Sequence, residues 1–338
     1  MTAPISRRTL FRGAGVLGLG VALAGCSGGP APAGDGAGTR TITHKLGTTE
    51  ITGTPERVVT IGLTEQDYVL ALGVVPVGVR EWFGEQPGAL WPWAAGRAGG
   101  AVPEVLPVAE LNYEQVAALA PDLILGVNYT MTQAEYDTLS ALAPTVGPPV
   151  EYADYGAPWQ VINEVVGTAL GRSEQAAQLV APIEQGIADL RATVPAGRTG
   201  LLAALLEDGS YYVYAEGPAP ALLADLGLAL PPAAEALFTG ENRPPVLLSP
   251  EQLGVLEADV LVVGLYGAFA DTATIDDPVF ANLRVAQEGR AVLLPELSET
   301  NGALSFGSVL SLPVALDQLA PRLAAALDGD PATAVPAA

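Results

Sequence analysis

Pro158-Trp159-Gln160-Val161-Ile162-Asn163-Glu164-Val165-Val166-Gly167-Thr168-Ala169-Leu170-Gly171-Arg172-Ser173 opens a stretch that runs on to Thr193, and its reading decides the fold. Trp159, Ile162, Val165, Val166, Ala169 and Leu170 recur at i, i+3, i+4 and i+7, which is one face of a helix. Gly171-Arg172-Ser173 interrupts the pattern, with Ser173 placed to cap a second helix. A second apolar stripe then runs through Ala176, Leu179, Val180, Ile183, Ile187 and Leu190. Pro182 inside it predicts a kink, because proline removes a backbone donor and clashes one turn back. On either side of this stretch the chain alternates short apolar strands with amphipathic helices. Two α/β lobes joined by a helical linker over 158–194 is the reading. It makes the space between the lobes the place to look for function.

A chain of 338 residues is near the upper size for one core, so two lobes are the expected division. Its formal net charge of -22 leaves no basic face to neutralise phosphates, which excludes nucleic acid as an ordinary partner. Lys45 is the only lysine, His44 the only histidine and Cys26 the only cysteine, so no disulfide forms within the chain.

The first 25 residues read as an export leader. Arg7, Arg8 and Arg12 form a basic start, and residues 13–25 are a short apolar run rich in Gly, Ala, Val and Leu. That run is shorter than the roughly 20 apolar residues a spanning helix needs. The paired arginines resemble a twin-arginine export signal. Leu23-Ala24-Gly25-Cys26 looks like a bacterial lipobox, which would make Cys26 a lipidated mature N-terminus stably held in the membrane. Gly13-Ala14-Gly15-Val16-Leu17-Gly18 matches the dinucleotide fingerprint, but no strand precedes it and it carries no weight. Residues 26–40 form a flexible tether of Gly, Ala, Pro and Ser.

Residues 41–157 form the first lobe. Thr41 to Thr49 is a strand or hairpin, and strands are expected at Val58–Ile61, Pro76–Val79, Leu123–Gly126 and Ala143–Val146. Helices between them are expected at Thr64–Leu72, Leu111–Leu119 and residues 132–142. That pitch implies parallel βαβ units. Residues 195–328 form the second lobe, with strands at Thr199–Leu206, Tyr211–Ala215, Val260–Val263 and Ala291–Leu294. Helices are expected at Leu222–Leu226, Pro250–Leu256 and Leu310–Leu327. Residues 329–338 read as a disordered Pro/Ala tail.

Several of these segments, taken in order, carry a family resemblance. Arg57-Val58-Val59-Thr60-Ile61, Ala71-Leu72-Gly73-Val74-Val75-Pro76-Val77-Gly78-Val79, Leu119-Ala120-Pro121-Asp122-Leu123-Ile124-Leu125 and Leu142-Ala143-Pro144-Thr145-Val146 come first. Leu170-Gly171-Arg172, Ala258-Asp259-Val260-Leu261 and Asp277-Pro278-Val279-Phe280-Ala281-Asn282-Leu283 come after them. Behind a lipobox, this series resembles the solute-binding lipoproteins of iron–siderophore and cobalamin ABC importers, over roughly residues 41–327. The resemblance implies a class III periplasmic-binding-protein fold with two Rossmann-like lobes. It also implies an anchored, extracytoplasmic monomer that captures a ferric siderophore and delivers it to an ABC permease. No catalysis and no cofactor are implied, and cobalamin or haem is the alternative ligand.

Ligands of open parallel sheets bind outside the carboxyl ends of the strands. That rule selects Arg80, Trp82, Trp91 and Trp93 after the second βαβ strand, with Phe83 among them, and Asn128 and Tyr129 after the third. From the second lobe it selects Tyr214, Glu216, Phe238, Arg243, Tyr266 and Phe269, with Asn301 and Phe306 further on. Aromatic faces with a few arginines suit a large ligand bearing negative charge. The resemblance places Arg80 and Tyr129 where hydroxamate-binding relatives carry an arginine and a tyrosine. It also implies one acid on each lobe facing the permease, with Glu65 and Asp67 as first-lobe candidates and Glu216 and Asp225 as second-lobe ones. The different-class alternative is an anchored hydrolase with a carboxylate site. The chain's single histidine leaves little to build a catalytic triad, and its lone cysteine is committed to the lipobox.

Overall fold

The computed structural model describes residues 38–239, 243–267 and 277–338. The expected leader, the expected lipidation position Cys26, most of the expected tether and Phe269 lie outside the described residues. Asp35–Ala338 is one compact unit.

A hairpin of β1 (Thr39–His44) and β2 (Gly47–Thr52) precedes the first sheet. His44 is buried in it, taking the Leu46 N–H on Nδ1 and facing Thr49 Oγ1 through Nε2 at 2.9 Å. Thr49 in turn donates to the Thr145 carbonyl, which ties the hairpin to the lobe. The first sheet contains β3 (Val58–Thr60), β4 (Gly78–Arg80), β5 (Glu104–Leu106), β6 (Leu123–Leu125) and β7 (Thr145–Val146). Its order is β5-β4-β3-β6-β7, and every neighbouring pair is parallel. The helices of this lobe are α1 (Glu65–Ala71), α2 (Pro92–Ala95), α3 (Tyr113–Ala118) and α4 (Gln133–Ser140).

The linker is α5 (Trp159–Leu170) and α6 (Ser173–Arg191). Gly171 ends α5 in the left-handed region at φ 66°, which glycine adopts without strain. Arg172, rather than Ser173, holds the cap position, so Ser173 is the first helical residue. Pro182 is exposed, and α6 continues through it. A Cβ on Gly167 would lie 2.4 Å from the Ala176 side chain, so α5 and α6 close on a glycine contact.

The second sheet contains β8 (Gly200–Leu205), β9 (Tyr211–Tyr214), β10 (Val246–Leu248), β11 (Val260–Leu265) and β12 (Ala291–Pro295). Its order is β10-β9-β8-β11-β12; β8, β11 and β12 are parallel, while β9 runs antiparallel to both its neighbours. The Asp208-Gly209 turn, with Gly209 at φ 80°, reverses the chain between β8 and β9. The sheet is therefore mixed, with β9 antiparallel among strands that otherwise run one way. Around it lie α7 (Pro218–Asp225), α8 (Pro232–Glu235), α9 (Pro278–Ala281), α10 (Arg284–Gln287), α11 (Glu299–Phe306) and α12 (Ser311–Leu327). The tail expected to be disordered instead lies back on the body: Val335 packs on the core and Arg322 donates to the Ala337 carbonyl.

One apolar core runs without a break from Val58, Tyr68 and Leu123 through Val166, Leu170 and Ile187 of the linker to Val260, Leu312 and Leu319. Each sheet covers its other face separately, around Ile124 and Val116 in the first lobe and Val263 and Leu201 in the second. The linker is thus a shared wall of both lobes.

Candidate functional site

In the first sheet the strand order reverses between β3 and β6, so the loops after these two strands part and leave a crevice at their carboxyl ends. Leu63 and Asn128 stand on those loops, and both line a cavity of about 290 Å3. Its other walls are Trp82, Tyr155, Tyr214, Tyr266 and Asn301, with Ala203 and Ala204 of β8 behind them. A second cavity of about 600 Å3 continues from it, sharing Asn128, Tyr155 and Glu216. Trp159, Ile187, Asp225 and Phe306 complete that larger space. Walls from both lobes and from the linker enclose one cleft, in the size range of small-molecule sites.

Its chemistry is aromatic and phenolic. The Tyr214 phenol is pushed up to about 12, first by burial and then by the nearby Tyr266 and Tyr212. Tyr266 is raised too, chiefly by burial, against the opposing hydrogen bonds of Asn301 and Ser305. Both phenols therefore stay protonated at neutral pH and are available as donors to an anionic oxygen. Asn128 is held by its backbone N–H on Glu65 Oε1 at 2.7 Å and its Nδ2 on Thr64 Oγ1 at 3.2 Å. Its buried Oδ1 has no partner among the described residues.

Trp82, Asn128, Tyr214 and Tyr266 thus meet at one cleft, as the carboxyl-end rule predicts. Other expected residues do not reach it. Arg80 is the last residue of β4 and only 8% exposed; it donates to the Ile61 carbonyl at 3.3 Å and to the Val108 carbonyl. Its guanidinium stacks 4.7 Å from the centre of the Tyr129 ring, and Tyr129 donates to Glu135 Oε1 at 3.3 Å. This pair lies in the first lobe's interior, where the Ile61 and Val108 carbonyls and the Tyr129 ring take up the guanidinium. Trp91 is 2% exposed and stacks on Trp93 at 5.1 Å; both, with Phe83, pack around Phe306 of α11. They join the lobes rather than line the cleft. Phe238 belongs to the second-lobe core, and Arg243 lies over its ring at 5.3 Å while pairing with Glu235 at 2.7 Å.

Two expected docking acids are also corrected. All seven residues of α1 are buried, so neither Glu65 nor Asp67 can face a partner protein. Glu65 is fully enclosed and accepts from the Asn128 and Thr64 backbone N–H groups; burial raises its pKa, against those bonds. Asp67 Oδ2 accepts from Trp93 Nε1 at 2.9 Å and from the Ser308 hydroxyl, which crosses from the second lobe. Burial lifts the Asp67 carboxyl to about 7 despite those two donors. Glu216 and Asp225, by contrast, are exposed.

Tyr155 and Trp159 are cleft residues that the sequence reading passes over. Tyr155 lies beyond β7, so the same rule applied to the fourth parallel strand finds it. Trp159 shares its helix face with core residues, and periodicity cannot separate the two.

The chain matches the family described as periplasmic binding protein over residues 58–297. It is 28% identical over 239 residues to a Bacillus subtilis protein named probable siderophore-binding lipoprotein YfiY, covering 68% of this chain and 70% of that one. The structure of a periplasmic solute binding protein from Mycobacterium smegmatis superposes with a TM-score of 0.76 at 33% identity, over 86% of this chain and 99% of that chain. PiaA of Streptococcus pneumoniae in complex with ferrichrome superposes with a TM-score of 0.71 at 22% identity, over the same 86% and 99%.

Proposed function

The chain belongs to the periplasmic binding protein family, and from that membership we propose that it captures a ferric siderophore between its lobes and hands it to an ABC permease. The observation that carries the reading is the aromatic cleft closed by both lobes, with Trp82, Tyr155, Tyr214 and Tyr266 around it. Flat ring faces bury large area at low entropic loss, and protonated phenols donate to chelator oxygens. A relative named a probable siderophore-binding lipoprotein supports the same ligand class. The protein binds and releases its solute unchanged and performs no catalysis. It acts outside the cytoplasmic membrane as a monomer, exported through the paired arginines of the leader and held by lipid on Cys26. Among the described residues no helix is long and apolar enough to cross a membrane. Asp225, exposed at the end of α7, is the second-lobe acid offered to the permease.

Titrating the full chain in detergent with ferrichrome tests this directly. Trp82 and Trp159 line the cleft, so intrinsic tryptophan fluorescence quenches with saturation, and Trp82→Ala weakens binding about tenfold, as loss of a buried aromatic contact implies. Saturable binding of cobalamin or haem with no response to any ferric chelate sinks the proposal.

A further inference from the structure

We infer that the cleft selects ferric chelates carrying no net negative charge, and that Glu216 engages a cationic group on the chelate. The inference rests on the ferric-siderophore reading above and adds its charge class. Among the described residues no lysine or arginine lines either cavity. Of the 15 basic residues, Arg7, Arg8 and Arg12 lie in the leader, and residues 240–242 and 268–276 contain none. Several of those in the body are spent elsewhere. Arg80 serves two backbone carbonyls and Tyr129, Arg172 the Leu72 carbonyl, Lys45 Asp154 and Arg243 Glu235. Arg191 donates to the Asp225 carbonyl at 3.2 Å, and its charge offsets that of the Asp225 carboxylate.

Glu216 is different. It lines both cavities, and among the described residues nothing hydrogen-bonds or pairs with its carboxylate. Trp82, Tyr155, Tyr214 and Tyr266 line the smaller cavity with it, and aromatic rings attract cations through their quadrupoles. An anion entering this space meets a carboxylate and no counter-charge, in a chain of net charge -22. The uncompensated carboxylate acts against the wrong ligand as much as for the right one. Three hydroxamates balance ferric iron and leave a neutral chelate, whereas three catecholates leave an excess of negative charge.

The probes are ferrioxamine B, whose pendant ammonium gives it net positive charge, and its neutral N-acetyl derivative, which differs in that group alone. Ferrichrome supplies a second neutral chelate, and a ferric tris-catecholate and ferric citrate the anionic ones. Titrated by fluorescence into the full chain at low salt, ferrioxamine B binds about fivefold tighter than its acetyl derivative, the upper range for an exposed charge pair. The preference falls as salt rises, and Glu216→Gln removes it. The anionic chelates bind at least about tenfold weaker than ferrichrome, the scale of one or two unscreened like-charge contacts. Anionic chelates binding as tightly as ferrichrome, or a cation preference that Glu216→Gln leaves intact, overturns the inference while leaving the siderophore reading in place. Silence toward every ferric chelate overturns that reading, and the inference with it.

Discussion

Asp67 is surrounded by donors and by apolar side chains, and the balance between them sets its titration. Trp93 Nε1 and Ser308 Oγ stabilise the charged form, yet full burial outweighs them and lifts the carboxyl from 3.8 to about 7. A carboxyl that keeps its proton longer when folded stabilises the fold fully below pH 3.8, and that stability is lost as pH rises to about 7. The loss is on the order of 4 kcal/mol for this group alone. Glu65 shifts in the same direction, and His44, pushed down by burial, works against both. The melting temperature is therefore expected to fall between pH 4 and 7 more steeply in the native chain than in Asp67→Asn, which has no proton there to lose. Parallel melting profiles for the two would remove Asp67 from this role. Arg80 gives a second test at this scale. Because its guanidinium is buried against two carbonyls and a ring, Arg80→Ala lowers unfolding free energy by about 2 kcal/mol in denaturant titration. A solvent-facing arginine would lose almost nothing. Nothing in the local sequence marks these two residues as interior: a Thr-Glu-Gln-Asp run reads as a solvated helix start, and Arg80 sits at a strand end. Both are buried because donors and acceptors arrive from residues tens to hundreds of positions away.

Helix α11 shows the same division at the scale of an element. Its sequence, Glu299 to Phe306, has weak amphipathic patterning and is not legible as a helix, yet it carries the seam between the lobes. Gly302 is the reason the seam closes: a Cβ there would lie 2.7 Å from the Trp91 ring. Phe306, one turn on, is ringed by Trp82, Phe83, Trp91 and Trp93 within 5.5–6.3 Å of ring centres. Alanine is the better helix former by about 1 kcal/mol, but overpacking a buried ring costs about 1–3 kcal/mol. Gly302→Ala is therefore expected to destabilise by about 1 kcal/mol in chemical denaturation. A more stable variant would show that the Trp91 ring yields freely. Strand β5 escapes a sequence reading for a related reason: three residues at a sheet edge, after a long aromatic loop, give no periodicity to read. The linker helices, by contrast, are legible to within a residue or two at each end, since their apolar stripe repeats over many turns.

The shared core has a consequence for the molecule as a whole. Side chains of the linker pack at once on the first lobe through Ile162 and Val166 and on the second through Ile187 and Leu190. Neither lobe can open its inner sheet face without exposing that common surface. Calorimetry of the full chain should give one transition with equal calorimetric and van't Hoff enthalpies, since residues 35–338 form one unit. Two resolved transitions would mean that the linker separates the lobes energetically.

Hydrophobic periodicity and its breaks determined by themselves the two α/β lobes, the helical linker, the order of most strands and the loops that could form a cleft. These are local properties, set by side chains a few positions apart. Only the tertiary structure decided which aromatic and charged residues face that cleft. Trp82 and Tyr266 turn into it while Trp91, Arg80, Phe238 and Asp67 turn away, and the difference lies in partners that the chain brings from afar. Burial and pairing are long-range quantities, and no spacing along the chain encodes them.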